Sequence, residues 1–309
     1  MAQTLQLPII DLASSDRIST ALSIRQACME CGFFYLINHG VEGDLLHEVL
    51  EGNRNFFALP LEEKMKLARK ENRGYTPLYA EKLDPSSSSK GDSKESFYIG
   101  PLEDTTHGYL NQWPAEEILP CWRSTMEDYY KRVLNAGKRL ISLVALALNL
   151  EENFFYDIGA SNQPNGFLRL LHYPGDLGPS GENTYGASAH SDYGMITLLA
   201  SDSVGGLQVC REKTKEPRVW ENVHYVPGAF IVNIGDLLER WTNCLFRSTL
   251  HRVMPTGQTR YSMAFFLDPN PDCVVECLKT CCSESYPPRF LPIRSGDYLE
   301  ERFKLTYGS

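Results

Sequence analysis

No stretch of this chain approaches the ~18 to 20 consecutive apolar residues that a membrane span needs. Its first twelve residues, MAQTLQLPIIDL, lack the basic start and long apolar run of a secretory leader. A Lys/Arg-rich tract is also missing. Thirty Lys and Arg stand against 39 Asp and Glu, a formal net charge of −9, which is a poor match for nucleic acid or an anionic membrane surface. There is no internal repeat and no long linker. The nine cysteines are odd in number, so a disulfide framework is not expected, and we expect a cytoplasmic monomer with reduced thiols. What remains is a chain of 309 residues, 42% apolar and 22% charged. That is ordinary for a folded protein and long enough to bury a large core without staples.

The pattern changes near the middle. Residues 7–12 and 32–37 read as strands, and 15–31, 42–57 and 61–67 as helices. The clearest helix spans 115–149, where Trp122, Met126, Tyr129, Val133, Leu140, Ile141, Val144 and Leu148 repeat at the spacing of one buried face. Pro120 suits its first turn. Beyond about residue 165, short β-rich runs alternate with turn residues at 167–173, 195–200, 206–210, 218–220, 229–233, 248–254 and 260–267, the texture of a sandwich or barrel. A short helix closes the chain near 295–304. We therefore expect an α+β chain with a mainly β core. Residues 1–160 form a mixed helical and strand region, and 161–309 a β core with its closing helix. Ser86–Ser89 reads as an exposed loop. Cys28 and Cys31 read as a packed pair. Cys273, Cys277, Cys281 and Cys282 have the residue type for zinc, but no second Cys/His group with ribbon-like spacing follows them.

The segment His190-Ser191-Asp192 carries the first sign of chemistry. Residues two apart on a strand share a face, so one imidazole and one carboxylate can reach one metal ion. His251, in the strand-like run 248–254, supplies a third candidate ligand. Two His and one carboxylate on one face of an octahedron leave three corners open, the arrangement of non-haem Fe(II) oxygenases. Taken alone, such a His and Asp could equally hydrogen-bond to each other. Arg260 and Ser262 form a second constellation, again two apart. No acid occurs between Leu250 and Leu267. If Arg260 faces inward it needs an anionic ligand, because a buried unpaired cation is costly and Arg pairs bidentately with carboxylate; if outward, water suffices.

Taken together, these motifs resemble the plant-type 2-oxoglutarate- and Fe(II)-dependent dioxygenases of the isopenicillin-N-synthase-like superfamily, over nearly the whole chain. The matching residues are Pro8-Ile9-Ile10-Asp11-Leu12, Gly32-Phe33-Phe34, Asn38-His39-Gly40, Arg73-Gly74-Tyr75 and Lys94-Glu95-Ser96-Phe97. They continue with His190-Ser191-Asp192, Gly205-Gly206-Leu207-Gln208-Val209, the run from Pro227 to Asp236, His251-Arg252-Val253 and Arg260-Tyr261-Ser262. The resemblance implies a double-stranded β-helix, or jelly roll, wrapped by helices. It also implies iron held by His190, Asp192 and His251, and 2-oxoglutarate with its far carboxylate on Arg260 and Ser262, near Tyr173. O2 is the second co-substrate, and ascorbate is a candidate reductant. The implied reaction hydroxylates or desaturates a small, largely apolar metabolite or hormone and releases succinate and CO2. Leu171 stands where the family commonly has Asn, and His172 where Tyr or Phe is usual; we expect His172 to point away from the metal. Two alternatives share the pocket: an iron oxidase that needs no 2-oxoglutarate, and a silent binding protein. A pI near 5.4 disfavours nucleobase repair on the same core. His39, Asn233 and Asp236 are expected to organise turns, Trp220 and Trp241 to fill core, and Tyr75, Phe97 and Phe265 to wall the pocket.

Overall fold

The computed structural model describes residues 4–84, 91–102, 110–162, 165–175 and 185–307; the loop expected at Ser86–Ser89 lies outside them. Local chemistry sets the helices. In α1 (Arg17–Glu30) the Asp16 side chain accepts the Ser19 amide at 3.0 Å, which satisfies one of the amides a helix start leaves open. The long helix α4 (Trp122–Ala147) buries the stripe expected of it. It starts later than the sequence suggested. Cys121 adopts a left-handed φ of 59° as its N-cap, so Pro120 precedes the helix instead of sitting in its first turn. Gly137 lets α4 approach the sheet, since a Cβ there would stand 2.6 Å from Leu267 Cδ2.

Before α4 come β1 (Thr4–Leu5), β2 (Ile9–Asp11), β3 (Phe33–Ile37), α2 (Gly43–Phe57), α3 (Leu61–Met65), β4 (Gly74–Thr76) and β5 (Glu95–Ile99). After it come α5 (Phe154–Asp157), β6 (Asn165–Tyr173), β7 (Ala187–His190), β8 (Ile196–Ser201), β9 (Leu207–Cys210), β10 (Glu221–Val223) and β11 (Phe230–Ile234). The chain ends with α6 (Asp236–Trp241), β12 (Leu250–Val253), β13 (Arg260–Asp268), β14 (Val274–Val275), β15 (Ile293–Arg294) and α7 (Ser295–Tyr307). The strand expected at 218–220 forms three residues later, as β10. The two-residue β1, parallel to β10, was not expected.

The larger sheet runs β2-β3-β11-β8-β13-β6-β5-β4 and the smaller β1-β10-β9-β12-β7. Four strands from the second half of the chain lie together in each, and these eight make the double-stranded β-helix. Two apolar clusters result. One lies between the larger sheet and the helices and holds Phe97, Leu170, Met263, Phe265 and Leu267. The other lies between the two sheets and holds Phe33, Tyr173, Val209, Val253 and Ala264. Strand alternation sends Arg260, Ser262, Ala264, Phe266 and Asp268 of β13 toward the smaller sheet. All nine cysteines are free thiols. Cys28 and Cys31 are buried, and burial pushes the Cys31 thiol up to about 11. Among the described residues no helix is long and apolar enough to cross a membrane.

Candidate metal and co-substrate site

His190 ends β7 and His251 lies directly opposite it on β12, their ring centroids 4.3 Å apart. The two imidazoles are thus strand neighbours. Asp192 is not on the strand, contrary to the same-face argument. It lies in the turn after β7, where the Asp236 amide at the start of α6 donates to its carbonyl at 2.8 Å. The turn still delivers the carboxylate: Asp192 Oδ1 stands 3.8 Å from His190 Nε2 and 3.7 Å from His251 Nε2. All three ligand atoms lie within 4.8 Å of one another.

The surroundings set each donor. His190 Nδ1 is 2.7 Å from the Ser188 carbonyl and His251 Nδ1 is 3.1 Å from the Thr249 carbonyl. A carbonyl only accepts, so each Nδ1 carries the hydrogen and each Nε2 keeps its lone pair free for a metal. Asp192 Oδ2 accepts from Thr197 Oγ1 at 2.5 Å and from Asn233 Nδ2 at 2.7 Å. Asn233 and Thr197 face each other across β11 and β8. Burial opposes the charged form of Asp192, but the two imidazoles and the two donors outweigh it and hold the carboxyl below its ordinary value. Burial, then His251, pushes His190 down to about 4. At neutral pH this pair presents a carboxylate and a neutral imidazole. The role of Asn233 escaped the sequence, where it reads as a turn residue next to a glycine and an aspartate.

A buried chain of charges fastens β7 from behind. The Ser188 amide and hydroxyl donate to Asp92 Oδ1 at 3.0 and 2.6 Å. Asp92 pairs with Lys94 at 2.8 Å, Lys94 with Glu81 at 2.8 Å, and Glu81 with Arg169 at 2.5 Å. Burial pushes Glu81 upward, but Arg169 and Lys94 hold it well below its ordinary value.

Arg260 is buried, its guanidinium 4.9 Å from the centroid of the Tyr173 ring and its Nη1 donating to Ser262 Oγ at 3.2 Å. Its Nε finds no acceptor, and no carboxylate among the described residues pairs with it. The outward-facing reading of Arg260 therefore fails, and the buried cation fits an anionic ligand. Leu171 stands directly across from Ser262, so this corner lacks the amide expected there. His172, on the opposite strand face, lies 2.7 Å from Glu95 and stacks on Tyr261 at 4.8 Å and 11°. His39 holds a turn through the Gly228 carbonyl at 2.8 Å. Trp241 fills core, whereas Trp220 is half-buried with Arg252 over its ring at 4.0 Å.

A cleft opens beside His190 and Asp192, its wall including Tyr98, Phe167, Phe266, Leu299 and Phe303. Tyr75, Phe97 and Phe265 are instead fully buried in the helix-side core. Phe97 and Phe265 fall one position from the true wall residues Tyr98 and Phe266, on the wrong side of the pleat. The cleft also contains Asp268, whose carboxyl is pushed up to about 7, mainly by burial and then by the charge of Asp192.

A jelly roll that brings two imidazole nitrogens and one carboxylate oxygen within 4.8 Å of one another has the donor set of a mononuclear non-haem iron oxygenase. Residues 7–116 match the family model described as the non-haem dioxygenase in morphine synthesis N-terminal region, and residues 164–269 match that of the 2OG-Fe(II) oxygenase superfamily. The chain is 41% identical to azadirone synthase of Melia azedarach over 96% of its own length and 92% of the relative's. It superposes on a full-length Neurospora crassa protein solved in complex with alpha-KG with a TM-score of 0.83 at 31% identity, covering 96% of this chain and 95% of that one. With JOX2 in complex with 2OG, Fe and JA the TM-score is 0.81 at 28% identity, over 99% of this chain and 86% of the other. The chain belongs to the 2OG-Fe(II) oxygenase superfamily. It is a 2-oxoglutarate- and Fe(II)-dependent dioxygenase that hydroxylates or desaturates a small organic molecule, releasing succinate and CO2.

Proposed function

We propose that His190, Asp192 and His251 hold the iron, and that Arg260, Ser262 and Tyr173 hold 2-oxoglutarate. The convergence of the three ligand atoms, each imidazole with its Nε2 turned inward, carries this reading. Bound iron supplies the O2 chemistry that couples decarboxylation of 2-oxoglutarate to oxidation of a substrate C–H bond. The chain's own residues do the rest. Thr197 and Asn233 tie down Oδ2 and leave Oδ1 for the metal. Arg260 neutralises the far carboxylate of the co-substrate and Ser262 adds a hydroxyl donor. The aromatic wall of the cleft excludes water from the reacting centre.

Several observations support the finer assignments. All six side chains lie within 161–309, which we take as the catalytic part of one fold, with 1–160 flanking it. The apolar wall suits a small, largely apolar metabolite, and the likeness to azadirone synthase suits specialised plant metabolism. Free thiols throughout suit a cytoplasmic protein, and the net charge of −9 suits one without nucleic-acid or membrane partners. The test is release of labelled CO2 from 2-oxoglutarate. Wild-type protein releases it only with Fe(II), Asp192→Ala releases none while keeping its fold, and Arg260→Ala needs at least ten-fold more 2-oxoglutarate. Full release by Asp192→Ala, or an unshifted co-substrate titration for Arg260→Ala, defeats the assignment. Product formation with 2-oxoglutarate omitted would point to an oxidase instead.

A further inference from the structure

Phe167, Phe266 and Phe303 of the cleft wall are only half-buried. Apolar surface left open in a cleft favours a ligand that covers it. The strand register shows where such a ligand lies. Asn233, Thr197, Phe266 and Phe167 stand opposite one another on β11, β8, β13 and β6. They form one row across the face of the larger sheet that looks toward the smaller one. Asn233 and Thr197 hold the Asp192 carboxylate, so the row starts at the metal ligand and continues as two phenyl groups. Neighbouring strands lie roughly 4.8 Å apart. Phe266 is thus one strand from Thr197 and Phe167 is two, roughly 10 Å away. The Arg73 guanidinium stands 5.7 Å from the centroid of the Phe167 ring and backs it.

α7 adds Leu299 and Phe303, one turn apart, to the same cleft. Tyr193, next to Asp192, bonds Thr306 of α7 at 2.6 Å, which fixes that helix against the metal turn. The charged groups of the cleft are engaged within the protein: Glu81 with Lys94 and Arg169, Arg69 with Asn72, Asp192 with Thr197 and Asn233, and Asp268 with the Met195 amide. A ligand need not bring a charge of its own, and what it gains is cover for the rings. We propose that Phe266 and Phe167 gauge the substrate, an elongated, ring-bearing apolar skeleton that sets the carbon to be oxidised at the iron and reaches across both phenyl groups. Phe167, the farther of the two, is then a specificity-determining residue. The proposal rests on the iron and 2-oxoglutarate sites assigned above.

The test uses two isomers of equal composition, 4-methylbiphenyl, which is extended, and 2-methylbiphenyl, which is compact. Each is titrated anaerobically into the Fe(II) and 2-oxoglutarate complex of the full chain, and binding is read from the shift of the metal-to-co-substrate absorption band. Wild-type protein binds the extended isomer at least ten-fold more tightly. Phe167→Ala reduces that preference to within three-fold by weakening the extended isomer alone, Phe167→Leu keeps at least a five-fold preference, and Phe266→Ala weakens both isomers. The band formed before any probe is added shows that each variant is folded and loaded. No preference in the wild type, no binding of the extended isomer, or a preference that survives Phe167→Ala overturns the proposal. The first two outcomes need no variant. Absence of the band in the wild type would defeat the site assignment itself.

Discussion

Replacing Asn233 with Ala removes one of the two hydrogen bonds that orient the Asp192 carboxylate. The bond is 2.7 Å long, its donor is 3% exposed, and its acceptor is a buried carboxylate. A hydrogen bond to a charged group contributes about 1.5 to 3 kcal/mol. At 1.4 kcal/mol per factor of ten, its loss should weaken Fe(II) binding by about 10- to 100-fold, the range usual for outer-shell partners of a metal ligand. Thr197 still holds Oδ2 in this variant, so the single change should fall near the lower end. The pair Thr197→Val with Asn233→Ala frees the carboxylate to rotate and should reach the upper end. The assay is an anaerobic Fe(II) titration in the presence of 2-oxoglutarate, with a thermal melt of the metal-free protein run alongside. The melt separates a stability loss from an affinity loss. If the double variant binds Fe(II) within two-fold of wild type while Asp192→Ala does not bind it, Oδ2 needs no tether and the reasoning is wrong.

Two further predictions use features away from the iron. Phe265→Ala, in the helix-side core, should cost about 3 to 5 kcal/mol of unfolding free energy, whereas its neighbour Phe266→Ala should cost less and instead alter cleft occupancy; equal losses in urea titrations would contradict the assigned strand faces. Glu81 has a depressed pKa, so its stabilising contribution is complete above the unfolded value of about 4.3 and disappears as pH falls through the folded value. The stability gap between wild type and Glu81→Gln should therefore be constant near neutrality and shrink in acid, and parallel curves from pH 7 to 3 would argue against the ion pairs.

Much of this site could be read from residue spacing, and the departures have physical causes. The chain order of His190, Asp192 and His251 pointed to a shared metal, though the justification for Asp192 was wrong. The carboxylate arrives on a turn pinned by the first amide of α6, and no period-two argument can see that. Arg260 and Ser262 share one strand face, as their spacing required, because β13 is long and regular; which face that is the spacing left open. Phe265 and Phe97 were assigned to the wrong face because both neighbours in each pair are aromatic, and sequence alone does not give the parity. Asn233 was missed because its partner lies 41 residues away and only the pairing of β11 with β8 brings them together. Glu81 meets Arg169 across 88 residues and Asp92 meets Ser188 across 96, so the burial of this charge chain leaves no local signature.

The sheet order has a consequence for anyone wishing to trim the protein. Strands β3 and β5, both from the N-terminal half, cover β11 and β6 at the two ends of the catalytic quartet in the larger sheet, and β1 covers β10 in the smaller. A fragment beginning after residue 160 would retain every iron and co-substrate side chain assigned here, yet expose three long-buried hydrogen-bonding borders to other copies of itself. Such a minimal catalyst would clump before it turned over, so the N-terminal half acts as a selvedge for the weave that carries the chemistry.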